Sequence, residues 1–125
     1  MTKQLRRKLA IIVTHNQNDD RASTAFTIAN DALSSGMEVR VFLYSDGVEL
    51  SLTGASDMSE DIDSVKPLGE LIESFIQNGG VLRYCASCFH HRGFEPRHTI
   101  AKASATRDAL PLLEWIAEGA APLSF

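Results

Sequence analysis

Apolar positions along this chain follow two rhythms that take turns. From Lys8 to Thr14 the run Leu9, Ile11, Ile12, Val13 is nearly continuous, as in a strand buried on both faces of a parallel sheet. The polar stretch from His15 to Asp20 breaks it. The apolar residues then recur at helical spacing, with Ala22, Ala25, Phe26, Ala29, Ala32 and Leu33 on one face. Asp19 or Asp20 is placed to cap this helix, and Gly36 stands where a left-handed residue ends one. A second strand reads from Glu38 to Tyr44. Ser45 to Lys66 has no sustained period and is rich in Ser, Asp and Gly, so it reads as a long connection.

Helical spacing resumes at Leu68, Leu71, Ile72, Phe75 and Ile76, with Pro67 suited to the first turn and Gly79-Gly80 as the stop. Val81 to Tyr84 is a third strand, Phe89 to Arg97 a short helix or turn, and Ile100 to Ser104 a weak strand of small residues. A last helix starts from Thr106 or Asp108, carrying Pro111 in its first turn and Leu110, Leu113, Ile116 and Ala117 inward. Pro122 to Phe125 adds a terminal strand. Trp115 and Phe125 suit either core or interface. The alternation of strand and helix implies an α/β fold: a three-layer α/β/α sandwich around a mostly parallel sheet of about five strands with right-handed crossovers. At 125 residues, one domain spanning 1–125 is expected.

Charge and composition narrow the function classes. A net charge of −4 speaks against a general nucleic-acid binder, because phosphate contacts need a basic face. No stretch approaches the ~20 apolar residues that a membrane helix needs. The basic start, Met1 to Lys8, precedes an apolar run too short for a signal-peptide core, so a cytoplasmic location is expected. Acids dominate from Asp46 to Glu73, and the balance turns basic from Arg83 to Arg107. The acidic run from Asp57 to Asp63 reads first as solvated surface and second as a docking segment for a basic partner.

Only two cysteines occur, Cys85 and Cys88, and they directly follow the third strand in that basic segment. Open α/β sheets bind ligands at the carboxyl ends of their strands, so this is where reactive groups are expected. In a reducing compartment a Cys-x-x-Cys pair more often serves metal, redox or nucleophilic chemistry than a structural disulfide. Arg83, Arg92, His90 and His91, with a helix starting after Tyr84, would favour a thiolate. The plain alternative is two small buried hydrophobes. Three chemistries remain open. Zinc would need two ligands from His90, His91 and His98. A dithiol–disulfide oxidoreductase would attack with Cys85 and resolve with Cys88, although thioredoxin-like chains carry this motif earlier. Sulfur transfer would carry a sulfane sulfur on a thiolate.

Other candidates lie at the same sheet edge. His15 and Asn16 end the first strand, and His15 could orient a thiol or bind an anion, though a histidine in a polar loop is usually solvated. Asp46-Gly47 reads first as a turn in which Gly47 supplies a positive φ, and second as a carboxylate facing the site.

Taken whole, the chain resembles the DsrE/DsrF-like family of small sulfur-relay proteins, which includes sulfur-transfer subunits of the tRNA 2-thiouridylation relay. The likeness runs through Leu9-Ala-Ile-Ile-Val-Thr-His15, Val41-Phe-Leu-Tyr-Ser-Asp-Gly-Val48, Leu68-Gly-Glu-Leu71, Gly79 to Cys88, Arg92-Gly93 and Leu123-Ser-Phe125. Its more specific parts are Asp46-Gly47-Val48 and the cysteine followed by Arg-Gly. In sulfur-carrying members the cysteine follows the third strand, eight residues before that glycine, which is Cys85 here. The resemblance implies a persulfide on Cys85 handed to a partner thiol, sulfur-donor and sulfur-acceptor proteins as partners, no organic cofactor, and homo-oligomers of two, three or six chains. Cys88 and the His90-His91 pair exceed the family pattern and leave room for redox or metal chemistry. The reading from a different class is a non-enzymatic interaction or regulatory subunit with an inert or zinc-holding cysteine pair.

Overall fold

The computed structural model describes residues 7–54 and 67–125. Five strands, β1 (Lys8–Val13), β2 (Glu38–Leu43), β3 (Val81–Cys85), β4 (Ala103–Thr106) and β5 (Ala121–Ser124), form one sheet in the order β4-β3-β2-β1-β5. Every neighbouring pair is parallel. Four α-helices connect them: α1 (Asp20–Ser34), α2 (Leu68–Gln77), α3 (Ala86–His91) and α4 (Leu110–Ala117).

Alternation along each strand sends one set of side chains to each face. Leu9, Ile11, Val13, Val39, Val41, Leu43, Leu82 and Tyr84 pack under α1 and α2 in the larger core, where Phe26 and Phe75 meet edge to face with ring centres 5.8 Å apart. Ala10 and Phe42 face the other way, against Leu112 and Trp115 of α4. The result is the expected three-layer sandwich, with an all-parallel sheet. Asp19 caps α1 by accepting the Arg21 N–H, and Gly36 follows the helix with φ 89°.

Five local expectations are corrected. The connection after β2 is not irregular throughout: Ser45–Ser51 winds into a 3-10 helix that buries Val48 and Leu50. The positive φ in this segment belongs to Ser45, at 53°, and not to Gly47. Gly47 is required for a different reason, since a Cβ there would lie 2.2 Å from the Val13 carbonyl oxygen. Only hydrogen fits against that strand end. The acids Asp57 to Asp63 lie outside the described residues.

β4 begins three residues later than expected, because Ile100 donates its N–H to the Ser51 carbonyl and anchors the preceding loop instead. The face of α4 also differs. Leu110 and Leu113 are 54% and 56% exposed, whereas Leu112 and Trp115 are buried. This eight-residue helix is apolar nearly all round, so periodicity gave no contrast. Partners decide the face: the Trp115 indole donates to the Leu9 carbonyl at 3.0 Å and stacks beneath the Arg40 guanidinium. Trp115 is therefore core. The short helix expected somewhere in Phe89 to Arg97 starts earlier, at Ala86, directly on the cysteine segment.

Candidate functional site

The parallel sheet delivers three strand ends to one rim: Thr14-His15 after β1, Tyr44-Ser45-Asp46 after β2, and Cys85 at the end of β3. Cys85 is both the last residue of β3 and the N-cap of α3. Its Sγ takes the place of the usual capping oxygen, accepting the Cys88 N–H at 3.4 Å, and the Ser87 hydroxyl lies 3.2 Å away. The strand-to-helix turn thus aims hydrogen-bond donors at the sulfur.

These contacts divide the pair. Burial pushes the Cys85 thiol up, but hydrogen bonds from Ser87 and Cys88, through both side chains and backbone N–H groups, outweigh it and bring Cys85 below the ordinary thiol range. Cys88 moves the other way: burial, its hydrogen bond to Cys85 and the Cys85 charge raise it, offset in part by the Ser45 N–H and the Arg92 charge. Cys85 is the acidic member, and Cys88 stays a proton donor beside it.

Arg92 braces the site from the far end of α3. Its Nε and Nη2 donate to Asp46 Oδ1 at 3.2 and 3.0 Å, its Nη2 to the Ser45 hydroxyl at 3.3 Å, and its Nη1 to the Cys88 carbonyl at 3.1 Å. The guanidinium ties the loop after β2 to the helix after β3. It braces Ser45, whose φ of 53° few non-glycine residues adopt and whose backbone N–H lowers the neighbouring Cys88 thiol.

The remaining predicted residues are spread more widely. Arg83 sits two residues before Cys85, half-buried, with an unpartnered Nε. His90 and His91 are exposed on the last turn of α3. His15 lies on the same rim, its Nδ1 3.3 Å from the Thr14 hydroxyl, and Asn16 donates to Glu49. His98 is exposed in the 3-10 turn Pro96–His98. Among the described residues, no three His, Cys, Asp or Glu side chains converge as a metal site.

Four participants were missed from sequence. Ser45 and Ser87 look like ordinary loop serines, Asp108 looked like a helix start, and Tyr44 looked like the end of a strand. Tyr44 lies close enough to Cys85, Cys88 and Asp108 to feel their charge; burial first, then those three groups, raise its phenol. A hint was present in sequence, since Tyr44 and Ser45 immediately precede the Asp46-Gly47-Val48 element.

A sequence profile described as the DsrE/DsrF-like family matches residues 7–125. The chain belongs to that family. An uncharacterised protein of Methanopyrus kandleri is 33% identical over 101 residues, covering 79% of this chain and 77% of its own. The ychN protein of E. coli has the same fold, with a TM-score of 0.76 at 16% identity, over 97% of this chain and all of its own. So does a protein of unknown function from Methanobacterium thermoautotrophicum, with a TM-score of 0.67 at 15% identity and the same coverage. DsrE/DsrF-like membership supports a role of the sulfur-relay type in general terms. Among the described residues no helix is long and apolar enough to cross a membrane.

Proposed function

We propose that this DsrE/DsrF-like protein carries sulfane sulfur as a persulfide on Cys85 and passes it to a thiol of a partner protein. The observation that supports it most is the divided cysteine pair: Cys85 favoured as the anion at the end of β3, Cys88 held as the thiol. A thiolate is the nucleophile in sulfur exchange, so the more acidic Cys85 takes the attacking role.

In loading, the Cys85 thiolate attacks the outer sulfur of a donor persulfide. A new S–S bond forms at Cys85 Sγ, the donor's S–S bond breaks, and the donor leaves as a thiolate. In delivery, an acceptor thiolate attacks the outer sulfur on Cys85, takes it as a new persulfide, and Cys85 leaves as the thiolate that Ser87 and Cys88 stabilise. Electrons and atoms balance without an external oxidant. Donor and acceptor are proteins with exposed cysteines, met in a reducing compartment, the cytoplasm in this reading. Arg92 and Asp46 keep the Ser45 backbone on Cys88, while Arg83, His90, His91 and His15 supply positive or polar surroundings for an approaching anion.

A second route is favoured by the Cys-x-x-Cys turn itself. Once deprotonated, Cys88 attacks Cys85 Sγ, releases hydrosulfide and leaves a Cys85–Cys88 disulfide for a cellular dithiol to reduce. Burial, the first cause of the raised Cys88 thiol, keeps its thiolate scarce and so works against this discharge. Association with further copies belongs to the same reading, since Leu110, Leu113 and Leu123 leave apolar surface exposed.

The test is intact mass after incubation with a loaded cysteine desulfurase. Wild type and Cys88→Ser should gain one sulfur, about 32 Da, removable by reductant, and Cys85→Ser should gain none, as expected of an activated thiolate. Full loading of Cys85→Ser, or no loading of wild type, would overturn the assignment.

A further inference from the structure

Leu43 of β2 is paired with Tyr84 of β3, and both point into the core under α1 and α2. Tyr44 and Cys85 come next in the same register at the carboxyl rim, and Tyr44 packs against the core cluster that includes Cys85. The ring of Tyr44 spans this rim in a direction that its surroundings define. It starts on β2, and the charges it feels come from the cysteines after β3 and from Asp108, two residues beyond the end of β4. The ring thus lies in the neighbourhood of both thiols.

Its hydroxyl oxygen is buried and has no hydrogen-bond partner among the described residues, Cys85 Sγ included. Buried hydroxyls almost always find partners, because an unmade hydrogen bond is costly, so an orphan at a reactive thiol asks for a reason. Phe would fill the same space without that cost. A second donor without a partner among the described residues, Arg83 Nε, belongs to a residue of β3 two positions before Cys85. Both are donors that lack an acceptor, and the third unpartnered buried atom among the described residues, Gln17 Oε1 in the loop after β1, bonds neither of them.

The outer sulfur of a persulfide supplies an acceptor. It stands about 2 Å beyond Sγ, the length of an S–S bond, and carries negative charge when deprotonated. We propose that the Tyr44 hydroxyl is the hydrogen-bond donor to the outer sulfur of the Cys85 persulfide, holding that sulfur until an acceptor thiol reaches it. This rests on the persulfide reading of Cys85. No bond to Tyr44 forms or breaks; the phenol keeps its proton, which burial and the surrounding acids favour. A deprotonated outer sulfur is a poor electrophile, so the donor slows discharge to stray thiols.

The experiment compares Cys88→Ser with Cys88→Ser/Tyr44→Phe, so that internal discharge is removed from both. Each is loaded with inorganic polysulfide, the mass gain is confirmed, and loss of the sulfur to dithiothreitol is followed by mass. The unloaded proteins are alkylated with iodoacetamide across pH. Both should load one sulfur, the Tyr44→Phe protein should lose it about fivefold faster, the factor of one net hydrogen bond, and the two alkylation profiles should coincide, because the hydroxyl does not bond the free thiol. Equal discharge rates from two loaded proteins would overturn the role of Tyr44 and leave sulfur carriage on Cys85 standing. Displaced alkylation profiles would also overturn it, placing the hydroxyl on the thiol instead. Failure of both proteins to load would overturn the persulfide reading itself.

Discussion

The two ends of the sheet treat their polar groups differently. At the amino end, a cleft of about 410 Å³ lies among the starts of β2 and β3 and Trp115 of α4. Arg40 stacks on Trp115 at 3.8 Å, Lys8 beside the cleft lies 4.8 Å from the same ring and pairs with Glu118, and the indole N–H holds the Leu9 carbonyl. None of its lining residues carries an unpartnered buried polar atom. At the carboxyl end two buried donors lack acceptors among the described residues, and two neighbouring thiols differ in acidity. Concavity is the usual first guide to a site. Here unsatisfied chemistry marks the rim instead, and the satisfied cleft is part of the fold's support.

Truncating the support should separate the two ends most sharply. Trp115→Ala removes a buried indole, its hydrogen bond and its cation stacking, with an expected loss of about 3–5 kcal/mol in chemical denaturation. Cys85 alkylation in the folded fraction should keep its wild-type pH profile. A displaced profile would show that the amino end acts on the rim and would break the distinction.

Gly47→Ala should affect both properties. The added Cβ meets the Val13 carbonyl, which cannot retreat without moving β1, so a loss of about 3 kcal/mol is expected from overpacking against backbone. The shift should also disturb Ser45 and raise Cys85 toward an ordinary thiol. Stability lost with an unchanged alkylation profile would show that the 3-10 turn supports the core alone.

The smallest effect is read from pH. In single-cysteine variants, Cys85 in Cys88→Ser should alkylate with an inflection below the ordinary thiol value of about 8.5, and Cys88 in Cys85→Ser nearer to or above it. For stability the signs are opposite. Cys85, lowered in the folded state, contributes stability that is present above its unfolded value and lost as pH falls through its folded value; Cys88, raised, contributes below its unfolded value and loses it as pH rises through its folded one. Melting temperatures across that window should therefore change little in wild type and fall toward high pH in Cys85→Ser. Coincident inflections for the two cysteines would remove the division on which the proposed roles rest.

Much of this was legible in the residues. The continuous apolar runs at β1 and β2, the helical stripes of α1 and α2 and the glycine stops each carry a local signal strong enough to fix an element, and strand-helix alternation then leaves few topologies. The cysteine pair was legible for the same reason, as two thiols after a strand. The sequence did not determine the face of α4, the start of β4 or the true need for Gly47, because each depends on a partner distant along the chain: Leu9 and Arg40 for Trp115, Ser51 for Ile100, Val13 for Gly47. The site divides in the same way. That Cys85 and Cys88 are the candidates for the chemistry is a property of residue type and spacing, whereas which of them is the more acidic is set by where Ser87, Ser45 and Arg92 are brought, and Tyr44 enters the proposal only because parallel register puts the end of β2 beside the end of β3. Acidity and hydrogen-bond satisfaction are sums over neighbours in space, and only the folded chain supplies those neighbours.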